Sequence, residues 1–264
     1  MSRLTLTTLR NLKQRGEKIA MLTVYDASLA GLLEAAGVEA LLVGDSLGMV
    51  IQGQESTLPV TMDDMIYHCR NVTRGSYRAF VLVDMPFMSY TTPAQAADNA
   101  ARLMGEGGAQ MVKLEGGRFL SETVEQLTIR GIPVCAHLGL LPQSVYRTGG
   151  YRVQGRDEGT ARRIREDAVI LQQAGADMLI LECVPASLGR EITETLDIPV
   201  ISCGAGPHCN GQVLVLYDML GMSPGKSPSF NRNFLEGANS ISGAVQSYVS
   251  AVKKGEFPTL EQSY

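Results

Sequence analysis

AFVLVDMPFMSYTTPAQAADNAARLMGEGGAQMVKLE, residues 79–115, carries the reading of the fold. Two short apolar runs, AFVLVDM (79–85) and AQMVKLE (109–115), flank a stretch of helical spacing that opens at Thr92-Pro93 and runs into Gly107. The runs are too short for helices, and their unbroken Val and Leu content suits strands buried on both faces of a parallel sheet. Strand, helix, strand is therefore the unit, and it repeats in both directions along the chain. Upstream lie IAMLTVYD (19–26) and ALLVGDS (40–46); downstream lie IPVCAHLG (132–139), ADMLILECV (176–184), IPVISCGAG (198–206) and VLVLYDM (213–219). Eight runs are the number that closes a barrel, and 264 residues suit one such domain. A single (β/α)8 TIM barrel over residues 1–264 is the expected fold, with an open sheet as the alternative.

The intervening helices have legible ends. Thr61 precedes MDDMIYHCRNVTRG and Asp157 precedes EGTARRIREDAVILQQAG, each placed to cap a helix start, and Gly75, Gly107 and Gly175 are expected to stop helices. Between the seventh and eighth runs only a few residues remain, so the seventh helix should be short or missing. The segment 228–258 has the spacing of one or two closing helices.

Composition narrows the function. A formal charge of -4 offers no broad positive surface to nucleic acid or to anionic lipid, which favours a small-molecule substrate. The five cysteines are scattered, without a C-x-x-C pair, so neither structural disulfides nor zinc is expected. The first twenty residues contain no signal-peptide core, and no apolar run reaches membrane-spanning length; a cytoplasmic protein is expected.

In a barrel, catalytic groups project from the C-terminal ends of the strands. Reading the end of each run gives Asp26, Asp45 with Ser46, Asp84, Lys113 with Glu115, His137, Glu182, the GAG turn at 204–206, and Asp218. Carboxylates withdrawn from water need a counter-charge, and an oxygen-only donor set prefers a hard cation, with magnesium the first choice. Asp45, Asp84 and Glu115 are the candidate ligands, Glu115 the one expected to bind through water. Taken singly, Asp26 and Asp218 read as helix caps or loop hydrogen bonds. Lys113 and Glu115 lie two apart and share a face, which fits a structural ion pair as well as a site. His137 reads equally as a buried histidine or a substrate contact, and Glu182 as a general base or a supporting partner. The GAG turn could present amides to an anion or simply turn tightly. The long loop LPQSVYRTGGYRVQGR, with Arg147, Arg152 and Arg156, reads as a lid over an anionic substrate or as a surface excursion.

Residues 24–61, together with VLVDMPFMSY, MVKLEGG, HLGLLPQS, GGYRVQGR, LILECVP and PVISCGAG, make the chain resemble the ketopantoate hydroxymethyltransferases over nearly its whole length. The resemblance implies a barrel, bound Mg2+, and transfer of a hydroxymethyl group from 5,10-methylenetetrahydrofolate to 3-methyl-2-oxobutanoate. Ketopantoate for pantothenate and coenzyme A synthesis would be the product, formed through a magnesium-stabilised enolate. Carried over by position, Asp45, Asp84 and Glu115 are similar to the family's metal ligands. Asp45, Ser46, Asp84 and Lys113, with His137 nearby, match its keto-acid contacts, and Glu182 its proton acceptor. A homo-oligomer, typically a decamer, is also implied. The chain departs from the family's habit at Ala136, where glycine is usual, and at Asn210, where aspartate is usual. Three rivals remain at this point: a Schiff-base aldolase using Lys113, a magnesium-dependent carbon–carbon lyase of the isocitrate-lyase type, and a silent barrel serving as a scaffold.

Overall fold

The computed structural model describes residues 2–223 and 227–264; Met1, the start of the opening segment, lies outside them. Eight parallel strands close into a barrel in chain order, with the last pairing back to the first. They are β1 (Ile19–Thr23), β2 (Ala40–Val43), β3 (Phe80–Asp84), β4 (Met111–Glu115), β5 (Val134–Gly139), β6 (Met178–Glu182), β7 (Val200–Cys203) and β8 (Gly211–Leu214). The helices are α1 (Leu6–Gln14), α2 (Ala27–Ala35), α3 (Leu47–Val50), α4 (Met62–Gly75), α5 (Pro93–Gly105), α6 (Ser121–Thr128), α7 (Val145–Thr148), α8 (Glu158–Gln173), α9 (Ala186–Thr195), α10 (Leu216–Met219) and α11 (Ile241–Lys254). None of them is long and apolar enough to cross a membrane.

Local chemistry sets the helix starts as expected. Thr61 forms a reciprocal capping box with Asp64, Thr92 accepts from the Gln95 N–H with Pro93 in the first turn, and Asp157 accepts from the Thr160 N–H. At the far ends, Gly75 is the last residue of α4 and Gly175 turns the chain after α8, but α5 stops at Gly105 and Gly108, not Gly107, takes the positive φ. Residues 204–210 cross from β7 to β8 without a helix, so the seventh helix is absent as expected.

One run is corrected. The stretch 213–219 is not a single strand: β8 begins at Gly211 and ends at Leu214, and Leu216–Met219 is a helical turn. The Leu216 N–H donates to Thr23 Oγ1, and Leu216 and Met219 bury their side chains one turn apart. A short buried apolar run satisfies either geometry, which is why its residues alone mislead. Asp218 thus lies in α10 rather than at a strand end.

Strand alternation divides the core in two. Ile19, Met21, Ala40, Leu42, Phe80, Leu82, Met111, Cys135, Met178, Ile180, Ile201 and Val213 fill the barrel, and Leu9 and Leu12 of α1 join them as a plug. The intervening strand residues, Ala20, Leu22, Val81, Val83, Val112 and Leu114 among them, pack outward against the helices. Continuing the inward series by steps of two from Phe80, Met111, Cys135 and Met178 reaches Asp84, Lys113 with Glu115, His137 and Glu182. The lower barrel is therefore apolar and its C-terminal mouth polar.

Candidate active site

The side chains that the sequence singles out at the mouth do converge. Asp84 is the hub: Oδ1 accepts from Lys113 Nζ at 2.6 Å and Oδ2 from the Asp45 backbone N–H at 2.9 Å. Lys113 Nζ also stands 3.7 Å from Glu115 Oε1, so the ion pair foreseen within β4 exists but is the weaker of the two. Parallel pairing sets the order, placing Asp84 beside Lys113 and Glu115 beside His137. His137 bridges two acids, with Nδ1 3.5 Å from Glu115 Oε1 and Nε2 3.3 Å from Glu182 Oε2. These are ion-pair separations rather than well-aimed hydrogen bonds, since both ring nitrogens are buried without a directed partner. Ser46, at the start of α3, exchanges a 2.9 Å hydrogen bond with Tyr25, whose hydroxyl also donates to Thr23.

Charge is unevenly balanced. Burial, then the Asp84 and Glu115 carboxylates, push the Asp45 carboxyl well above its usual range. Burial disfavours the Lys113 ammonium, but Asp84, Glu115 and Asp45 more than offset it and hold the amine protonated. Glu115 moves the other way: burial opposes its ionisation, yet His137, Lys113 and the Gln143 N–H hold it below the usual range. His137 loses stabilisation to burial and to Lys113, but Glu115 and Glu182 lift it to about 9. A neutral, nucleophilic lysine is what the Schiff-base reading needs, and Lys113 is the opposite.

Among the described residues no three His, Cys, Asp or Glu side chains already close round one point. The donor chemistry nonetheless fits a hard divalent cation. Asp45, Asp84 and Glu115 are 3%, 3% and 5% exposed, and with Glu182 they set four carboxylates against two cationic groups, Lys113 and His137. Asp45 Oδ2 receives only an amide N–H, from Gln143 at 2.9 Å. All-oxygen donors carrying excess negative charge suit magnesium.

Asp26 is the helix cap that its sequence position suggests, accepting from the Leu29 N–H. In the GAG turn the Ala205 N–H donates to Ser202 Oγ and the Gly206 carbonyl accepts from Gln212, which is the tight-turn reading. Arg147, Arg152 and Arg156 are exposed. The loop enters the site instead through Gln143, which sequence reasoning passed over because a neutral glutamine in a loop has neither charge nor periodicity to mark it. Tyr90 was missed similarly; its hydroxyl donates to Gln143 Oε1. Asn210 accepts from the Val200 N–H through Oδ1, a role that aspartate would fill equally, and Ala136 faces the outer helices.

A closed (β/α)8 barrel with buried acids, a lysine and a histidine at its C-terminal mouth defines a barrel enzyme acting on small molecules. The sequence profile of the ketopantoate hydroxymethyltransferases matches residues 3–260, and the chain belongs to that family. It is 78% identical over 264 residues, covering 100% of both chains, to the 3-methyl-2-oxobutanoate hydroxymethyltransferase of Nitrosococcus oceani. It is 59% identical to that of Nitrosomonas europaea, over 99% of this chain and 97% of the relative. Among solved structures, 2,3-dimethylmalate lyase superposes with a TM-score of 0.60 at 20% identity, covering 82% of each chain. Phosphonopyruvate hydrolase, solved with oxalate and Mg++, gives 0.62 at 11% identity over 81% of each chain. These two likenesses bear on the fold alone.

Proposed function

We propose that the chain transfers a hydroxymethyl group to 3-methyl-2-oxobutanoate, forming ketopantoate for pantothenate and coenzyme A synthesis. The one-carbon donor is 5,10-methylenetetrahydrofolate. The observation that carries this reading is the convergence of Asp45, Asp84, Lys113, Glu115, His137 and Glu182 on one mouth, in a chain 78% identical to a relative named for that activity.

Asp45, Asp84 and Glu115 would hold magnesium. The bound ion supplies positive charge that polarises the keto group and stabilises the negative charge developing on it. Lys113, kept cationic by its acids, and the Ser46 hydroxyl orient the carboxylate end of the oxo acid. Glu182 closes β6 with its side chain 17% exposed, reachable from the mouth, and removes the C3 proton. His137, largely imidazolium at neutral pH, lies 3.3 Å from Glu182 and holds it in place. Water adds to the methylene carbon and both of its C–N bonds to the folate break, leaving tetrahydrofolate and formaldehyde; the deprotonated carbon adds to the formaldehyde carbonyl, and the resulting alkoxide takes the proton back from Glu182.

The test is direct. Incubation with 3-methyl-2-oxobutanoate, formaldehyde-charged tetrahydrofolate and magnesium should yield ketopantoate by mass spectrometry, and a chelator should abolish it. Undiminished product under chelation would remove magnesium from the reading, and no product in any arm would remove the reaction.

A further inference from the structure

Gln143 sits where the β5–α8 connection dips into the mouth, and it is 6% exposed. All of its polar groups except the backbone carbonyl are engaged at the site. Nε2 donates to Asp45 Oδ2 and to the Met85 carbonyl, both at 2.9 Å, while Oε1 accepts from the Tyr90 hydroxyl. Its backbone N–H donates to Glu115 Oε2 at 3.0 Å. The Met85 carbonyl can only accept, so it fixes which way the amide faces. Tyr90 closes the circuit, its hydroxyl 3.4 Å from the Glu115 backbone.

One residue thus grips carboxylate oxygens from the ends of β2 and β4, strands that are separated by β3 in the barrel. We infer that Gln143 is the positioning residue of the acid site, holding Asp45 and Glu115 in place for the cation. The inference rests on reading Asp45, Asp84 and Glu115 as the groups that hold magnesium. Glutamine is chemically suited to the task. An arginine or lysine there would bind the same oxygens but cancel the charge that attracts the cation, whereas a neutral amide orients both acids and leaves their charge intact. Partners that orient a metal's ligands typically alter metal affinity by about 10- to 100-fold when removed.

Magnesium affinity of the full chain, measured by calorimetry without substrate, tests this directly. Gln143→Met removes the amide at similar volume, and Gln143→Asn keeps an amide that is one methylene too short to span the acids. Both should bind magnesium about 10- to 100-fold more weakly. A purely structural role would lower the thermal midpoint in chelator while leaving the affinity of the folded protein unchanged, so both quantities are measured. Wild-type affinity in either folded variant overturns the inference. Asp45→Asn separates the two levels of the argument. If it loses magnesium while the Gln143 variants retain it, the positioning role alone falls; if it retains wild-type affinity, the acid site and the role of Gln143 fall together.

Discussion

Glu182 and His137 show how far neighbours decide what a carboxylate can do. The four acids of the mouth differ little in chemistry, but Asp84 is occupied by Lys113 at 2.6 Å and Glu115 by the Gln143 N–H at 3.0 Å. Among the described residues the Glu182 carboxylate accepts no hydrogen bond, its nearest cationic neighbour being His137 at 3.3 Å, and it is less buried than the others. A base must be free to accept a proton from substrate, and this is the acid left free to do so. Glu182→Gln preserves shape and the approach to His137 but cannot take a proton. Turnover should fall by about 10²- to 10⁴-fold, with keto-acid binding retained. Deuterium exchange at C3 of the oxo acid, followed by NMR, checks the step itself; exchange at the wild-type rate in the variant would remove Glu182 from the role.

At the level of elements, the strands were legible because parallel barrel strands are apolar on both faces and stop abruptly at polar ends. The same regularity made Asp84, Lys113, Glu115, His137 and Glu182 legible, since each lies on the inward series of its strand. It failed where an element is not periodic. Leu216–Met219 obeys the burial of a strand but the geometry of a helical turn, and Gln143 acts from a loop whose path no pattern fixes. A third such feature is the brace between α2 and β3. Glu34 Oε2 accepts from Ser76 Oγ and from the N–H groups of Tyr77, Arg78 and Ala79, tying α2 to the entry of β3. Burial alone would raise this carboxyl, but the four donors outweigh it and hold it below the usual glutamate range. An acid with a depressed folded pKa contributes stability that is present above its unfolded value and lost as pH falls through the folded one. Glu34→Gln should therefore cost about 1 kcal/mol near neutrality, a modest figure because the group is partly exposed. In urea titrations the gap to wild type should close as pH drops below about 4.3, the ordinary glutamate value; a gap that stays constant would count against the brace.

Across the whole molecule, an apolar core and a polar mouth occupy opposite ends of one barrel. The lower half is a dry core of Ile19, Met21, Phe80, Met111 and Met178, plugged by Leu9 and Leu12. The upper half gathers Asp45, Asp84, Glu115 and Glu182 around Lys113 and His137. Without a cation that mouth carries unbalanced negative charge, and Asp45 responds to it, its carboxyl pushed up by burial and then by Asp84 and Glu115. An acid whose folded pKa is raised loses stability as pH climbs past its unfolded value, so at neutral pH the metal-free fold is strained by this one side chain. Removing the charge should relieve that strain. In Asp45→Asn the amide oxygen can still accept from Gln143 Nε2, and the backbone N–H can still donate to Asp84. The variant should melt above the wild type in chelator, by about 2 to 4 °C for each kcal/mol relieved. Magnesium should raise the wild-type midpoint by binding only the folded state and leave the variant's unchanged, and activity should be lost in the variant. Calorimetric melting of both proteins, with chelator and with magnesium, decides the matter. A variant that melts below the wild type in chelator would mean that Asp45 supports the fold as it stands, and that its charge is balanced by something other than a cation.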